Sequence, residues 1–256
     1  MAKWTAFPHL GDYQFEAASL KKHWPRLHAG DAEPLPTNPE VLQAWVLYHN
    51  GEFHMAAEAG LKAGGDGITV ANKATAIYAN YLEKSDAAKL ALLEEAAGWA
   101  DGRRSEAPKD ANAHYLYAYA LGRYSQGISI TKALAQGFGG KVKEALTTAL
   151  KLEAKHADAH TAFGSYQAEI IDKVGGIVAG MTYGAKKDSA LEHFQKAMKL
   201  NPESAIARIE YANGLIMLFG KARMAEAEKL YQEAAKCTPA DAMERLDVEQ
   251  AKAELE

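Results

Sequence analysis

One cysteine, Cys237, in 256 residues excludes an internal disulfide. Its small and apolar neighbours in a helical stretch mark it as a packed thiol. A basic excess is also missing: 29 Lys and Arg stand against 33 Asp and Glu, for a net charge of -4. No field steers such a chain to phosphate backbones, so nucleic acid is not an expected partner. Long apolar runs are absent as well. The longest, residues 174–185, is flanked by Asp172, Lys173, Lys186 and Lys187 and falls short of the about 20 residues that a spanning helix needs. No transmembrane segment is expected. The opening stretch MAKWTAFPHLGDYQFE has no run of the length a signal-peptide core requires, and the expected location is cytoplasmic. No segment alternates with period two between hairpin turns, which excludes a sheet and leaves an all-α fold. Neither G-x-S-x-G nor H-E-x-x-H occurs and no nucleophile stands out, so neither an enzyme nor a cofactor is expected.

What is present is enough apolar content, 48%, to bury a core, and a repeat that organises it. The pairs Tyr117-Ala118, Phe163-Gly164 and Tyr211-Ala212 recur with spacings of 46 (118 to 164) and 48 (164 to 212). Downstream of each, Leu146, Phe194 and Tyr231 are followed three positions later by Ala149, Ala197 and Ala234. A large side chain on one helix and a small one on its neighbour let helix axes approach. WVLYHNGEFHMAAEAGLKAG has the same pattern at ordinary length, and Tyr78-Ala79-Asn80 with LALLEEAAGWA is a looser copy. Asn38-Pro39, Asn201-Pro202 and Thr238-Pro239 each offer a cap residue before proline at a first helical position. These observations predict an N-terminal extension over 1–37, repeats over 38–239 and a capping helix over 240–256, which a solenoid needs on its last apolar face.

The aromatic and small positions resemble the tetratricopeptide pattern, which implies a right-handed α-solenoid of about five helical pairs. Tetratricopeptide units span about 34 residues. Units three and four are longer, and the excess lies in LGRYSQGISITKALAQGFGG and QAEIIDKVGGIVAGMTYGAKK, where apolar residues recur at helical spacing. Extended hairpins are therefore expected in both. That layout, with Tyr124-Ser125-Gln126-Gly127-Ile128, is similar to the tetratricopeptide domains of the regulator of microtubule dynamics proteins over residues 110–235. The resemblance implies an adaptor and, in some relatives, a lipid held within the domain. Their membrane-anchoring segment has no counterpart in this sequence.

Candidate functional residues follow from the helix faces. Opposite the tyrosine–alanine face lie Tyr115, Tyr119 and Arg123, then Thr161, Ser165, Glu169 and Asp172, then Ile209, Asn213 and Met217. The first pair adds Trp45, Tyr48 and His49. Aromatics and arginine dominate binding hot spots, so this concave face is expected to take a peptide or helical segment of another protein. Arg123 and Glu169 occupy one repeat position and are expected to face each other. The alternative occupant is a lipid or small apolar ligand between the extended hairpins, with Gly176, Gly180 and Gly184 as a smooth stripe at i, i+4 and i+8. His156 and His160 have the spacing of two metal ligands, but no third ligand is near, and no metal is expected. Gly64-Gly65-Asp66-Gly67 lacks the lysine and hydroxyl of a phosphate loop and is expected to stop a helix.

Overall fold

Asn38 shows how the sequence starts its helices: its side chain accepts from the Glu40 backbone N–H at 2.9 Å while Pro39 takes the first helical position. In the computed structural model, which describes residues 4–256, every regular element is helical. After α1 (Ala17–Leu27) the chain runs through α2 (Pro39–His49) and α3 (Phe53–Ala63), then α4 (Gly67–Tyr81) and α5 (Asp86–Glu106). A third pair joins α6 (Ala111–Gln126), across the short α7 (Ile130–Ala135), to α8 (Phe138–Leu152). The last two pairs are α9 (Ala157–Val174) with α10 (Lys187–Leu200), and α11 (Ala205–Phe219) with α12 (Met224–Ala234). A final helix, α13 (Ala242–Ala253), follows. Successive pairs pack on one another in the tetratricopeptide-like arrangement that the spacing predicts.

The other two prolines do not open helices. Ser204 caps α11 by accepting from the Ala207 N–H at 3.1 Å, and Asp241 caps α13 by accepting from the Glu244 N–H at 2.8 Å. Pro202 and Pro239 lie upstream in the loops, because the side chain that reaches the third helical N–H fixes the start. Gly64, at φ +63°, ends α3 as expected of the glycine run.

Large and small residues interlock where the repeat requires it. The fully buried Phe194 of α10 fits between Gly164 of α9 and Gly214 of α11; a Cβ at either would lie 2.8 Å or 2.5 Å from the ring. Gly164→Leu is expected to lower stability by about 1–3 kcal/mol or more through overpacking, whereas Lys199→Leu on the outward side should stay within about 0.5 kcal/mol. Urea midpoints check this. Equal losses at both positions would contradict the assigned faces.

Both chain ends fold back onto the repeats. In the N-terminal segment Trp4 stacks on Tyr78 with ring centroids 4.1 Å apart, and Trp24 of α1 donates its indole N–H to the Glu33 carbonyl at 2.8 Å. Helix α13 covers α11 and α12, as a cap does, and also reaches α2. Ala242 and Leu246 enter the core built by α1 to α4, while Val248 and Ala251 enter the core of α9 to α12. Its polar side chains follow the same route. Glu244 takes Arg26 through two bonds at 2.6 and 2.9 Å, and Asp241 meets His49 at 2.6 Å. From His49 a buried chain continues to His28 (3.2 Å), Asp31 (2.9 Å) and the Lys73 ammonium. The inner side of the repeats is therefore covered by α13, and is not the open groove expected from the repeat alone.

Candidate functional site

Three first helices present residues at steps of four toward one interior space: Lys73, Ile77 and Tyr81 on α4, Tyr115, Tyr119 and Arg123 on α6, and Ala162 and Tyr166 with Ser165 and Glu169 on α9. Met243 and Asp247 of α13 close one side, and α7 and α8 close another through Leu134, Phe138 and Val142. They line a cavity of about 440 Å³ that is partly open to solvent, within the about 300–1,000 Å³ range of small-molecule sites. Lengthening the third and fourth hairpins is what makes it, since Ile128, Leu134, Phe138, Ile170 and Val174 of the added segments form its apolar end.

The other end is polar, and its one arginine is already matched by a carboxylate. Arg123 donates to Glu210 at 2.6 Å, Ser165 donates to the other Glu210 oxygen at 2.8 Å, and Arg123 also lies 5.4 Å from the Tyr119 ring centre. Burial alone would raise the Glu210 carboxyl, but the guanidinium and its hydrogen bonds outweigh it and hold the group below its ordinary value. Tyr81 donates to Asp247 at 2.5 Å; burial lifts the Asp247 carboxyl well above the ordinary range despite that bond. Gln126 donates to Glu169 at 3.0 Å, and burial raises Glu169 as well. One polar group of the wall is different. The buried Tyr166 hydroxyl finds no hydrogen-bond partner among the described residues.

The expected concave-face residues divide into three groups. Tyr115, Tyr119, Arg123, Ser165 and Glu169 do converge on the cavity. Trp45, Tyr48 and His49 do not: all three are at most 1% exposed, packed under the N-terminal segment and α13, so they offer no free surface. Asp172 is exposed, 4.0 Å from Lys173, Asn213 bonds the Tyr231 hydroxyl of α12, and Met217 is half-exposed away from the cavity. On α11 the cavity is lined by Ile206 and Glu210, one residue, or about 100°, from the face expected there. Arg123 consequently pairs with Glu210 and not with Glu169.

The glycine stripe is not continuous. Helix α9 ends at Val174, Gly175 turns the chain at φ +78°, and residues 176–183 form a separate short turn that closes on Gly184 at φ +66°. Gly176, Gly180 and Gly184 therefore do not share one helix face. The histidines have separate tasks too: His156 caps α9 and bonds Asn112 at 2.9 Å, whereas His160 meets His193 at 2.8 Å. Tyr81, Glu210 and Asp247 were not expected at the site. The four-residue step from Lys73 to Tyr81 was the available signal for the first, but Asp247 comes from a helix whose charge pattern reads as a solvated cap.

Among the described residues no helix is long and apolar enough to cross a membrane. A family model described as regulator of microtubule dynamics protein 1-3 matches residues 53–256. The fold is similar to the crystal structure of a thermophilic TPR protein of Thermus thermophilus, with a TM-score of 0.57 and 15% identity over 84% of this chain and 98% of that one. At that identity the likeness shows the fold alone. No curated protein matches the chain significantly.

Proposed function

The chain belongs to the regulator of microtubule dynamics protein 1-3 family, and on that premise we propose that it is a non-catalytic repeat scaffold that holds an elongated apolar ligand between its extended hairpins. One observation carries this: the cavity is apolar along the added segments, and Arg123 at its inner end is already taken by Glu210. An extended peptide would bring an N–H and a C=O with every residue, each costly to bury without a partner. A hydrocarbon chain needs none. A ligand of this kind is an acyl chain or a similar amphiphile.

The test uses Gly122, which lines the cavity and where an added Cβ would meet no atom within 4 Å. Gly122→Trp fills the space from a helix position where glycine itself costs about 1 kcal/mol relative to alanine. Cis-parinaric acid is expected to bind the wild type and to bind this variant about tenfold or more weakly, with thermal stability preserved. Mass spectrometry of an organic extract from the purified protein should also show an apolar ligand. A wild type that yields no such ligand and binds no probe would overturn the cavity reading and leave contact with another protein as the function of the fold.

A further inference from the structure

The most exposed large apolar side chains are neighbours. Met181 is 85% exposed and Ile177 81%, four positions apart in the turn at 176–183, with Val178 beside them at 50%. Single exposed apolar residues are ordinary on any surface, but a cluster held outward on a folded turn marks a place of contact. The charge around it is equally uneven. Segments 127–143 and 173–187 contain Lys132, Lys141, Lys143, Lys173, Lys186 and Lys187 and no acidic residue, in a chain whose net charge is -4. The two segments meet in space: Tyr183 packs against Gly139, and the Lys143 side chain reaches Gly184. Lys132, Lys141, Lys173 and Lys186 are exposed.

We propose that the turn at 176–183 and its lysine surround form a docking surface for an anionic lipid bilayer. Outward apolar side chains enter the boundary between headgroups and acyl chains, and the lysines stay at the headgroup level, where an anionic surface attracts them. A protein partner would equally cover the apolar residues, but six lysines against the three adjoining carboxylates Glu144, Asp172 and Asp188, with only Lys173 near one of them, at 4.0 Å from Asp172, favour a surface that is uniformly negative. The surface lies outside the cavity and does not depend on what the cavity holds. No residue of the turn lines the cavity, although Lys173 does, and the inward side chains of 127–143, such as Leu134 and Phe138, line it too.

The experiment is sedimentation of the full chain with vesicles of phosphatidylcholine alone and of phosphatidylcholine with about one third phosphatidylserine. Binding is expected on the anionic vesicles only, weakening as salt rises. Ile177→Asp with Met181→Asp, and separately Lys141→Glu with Lys173→Glu and Lys186→Glu, should each lower it by about tenfold or more, with unchanged circular dichroism because all five side chains are exposed. Gly122→Trp should leave vesicle binding intact even where it abolishes probe binding, which separates failure of this surface from failure of the cavity. No binding of the wild type to anionic vesicles, or equal binding by the aspartate variant, would overturn the proposal. So would size-exclusion data in which the aspartate variant turns a dimer into a monomer without any vesicle binding, since the patch would then be an interface between copies.

Discussion

A chain that stops at residue 239 is expected to lose its cooperative unfolding transition and to aggregate, because α13 holds two parts of the core together. Removing the end of an ordinary solenoid uncovers one repeat interface. Here the lost helix also covers α2, four pairs away in the sequence. Leu246 and Val248 leave different cores, each worth about 1.5–3 kcal/mol on burial. His49 and Tyr81 lose Asp241 and Asp247 as partners, and a buried polar group left unpaired costs about 1–3 kcal/mol. The sum is comparable with the roughly 5–15 kcal/mol by which whole domains are stable. Thermal melts followed by circular dichroism, with light scattering, decide the matter. A truncated chain that remains monomeric with an unchanged midpoint would show that the contacts between α13 and α2 add nothing.

The return of α13 to the first pair marks the limit of what the sequence makes legible. Tyr117-Ala118, Phe163-Gly164 and Tyr211-Ala212 disclose helix pairs because their contacts lie within one repeat or between neighbours, so the same large and small residues recur at a fixed spacing. A contact between Asp241 and His49, 192 positions apart, repeats nowhere and leaves no periodic trace. The repeat alone puts Trp45, Tyr48 and His49 on an open face for the same reason: the elements that bury them come from the two ends. Tyr115, Tyr119, Arg123, Ser165 and Glu169 line one cavity together because α6 and α9 keep the repeat register that the sequence displays. On α11 the face turns by one residue, and Glu210, the carboxylate that neutralises Arg123, was missed. The glycine stripe failed on backbone geometry, since Gly175 and Gly184 both adopt positive φ and a helix cannot run through them.

Asp31→Ala is expected to cost about 3–5 kcal/mol, the loss typical when one partner of a buried ion pair is deleted. The side chains of Asp31 and His28 are each 2% exposed and that of Lys73 10%. The carboxylate accepts from His28 at 2.9 Å, from the Glu33 N–H at 3.2 Å and from the Lys73 ammonium. Without it the ammonium keeps only the faces of Trp45 and Tyr48, 5.9 and 5.8 Å from their ring centres, and the more distant Asp158. The double variant Asp31→Ala with Lys73→Met should regain much of the loss, because it removes the stranded charge together with its partner. The pH dependence has a definite sign. Burial pushes the Asp31 carboxyl up, but Lys73 and His28 outweigh it and hold it well below its ordinary 3.8. A depressed carboxyl contributes stability that is present above the unfolded value and lost as pH falls through the folded one. On its account, the gap between wild type and Asp31→Ala should be full at neutral pH and begin to close only below about pH 4. His28 adds a second slope to the wild type. Burial lowers it to about 4, against the pull of Asp31, so between about 6.5 and 4 the unfolded chain takes up a proton that the folded one refuses, at up to about 1.4 kcal/mol per pH unit. Urea unfolding of the wild type, both single variants and the double variant at about pH 7, 5 and 3 measures both effects. Additive losses in the cycle would sink the ion-pair account, because Asp31 and Lys73 would then act on the fold through separate contacts.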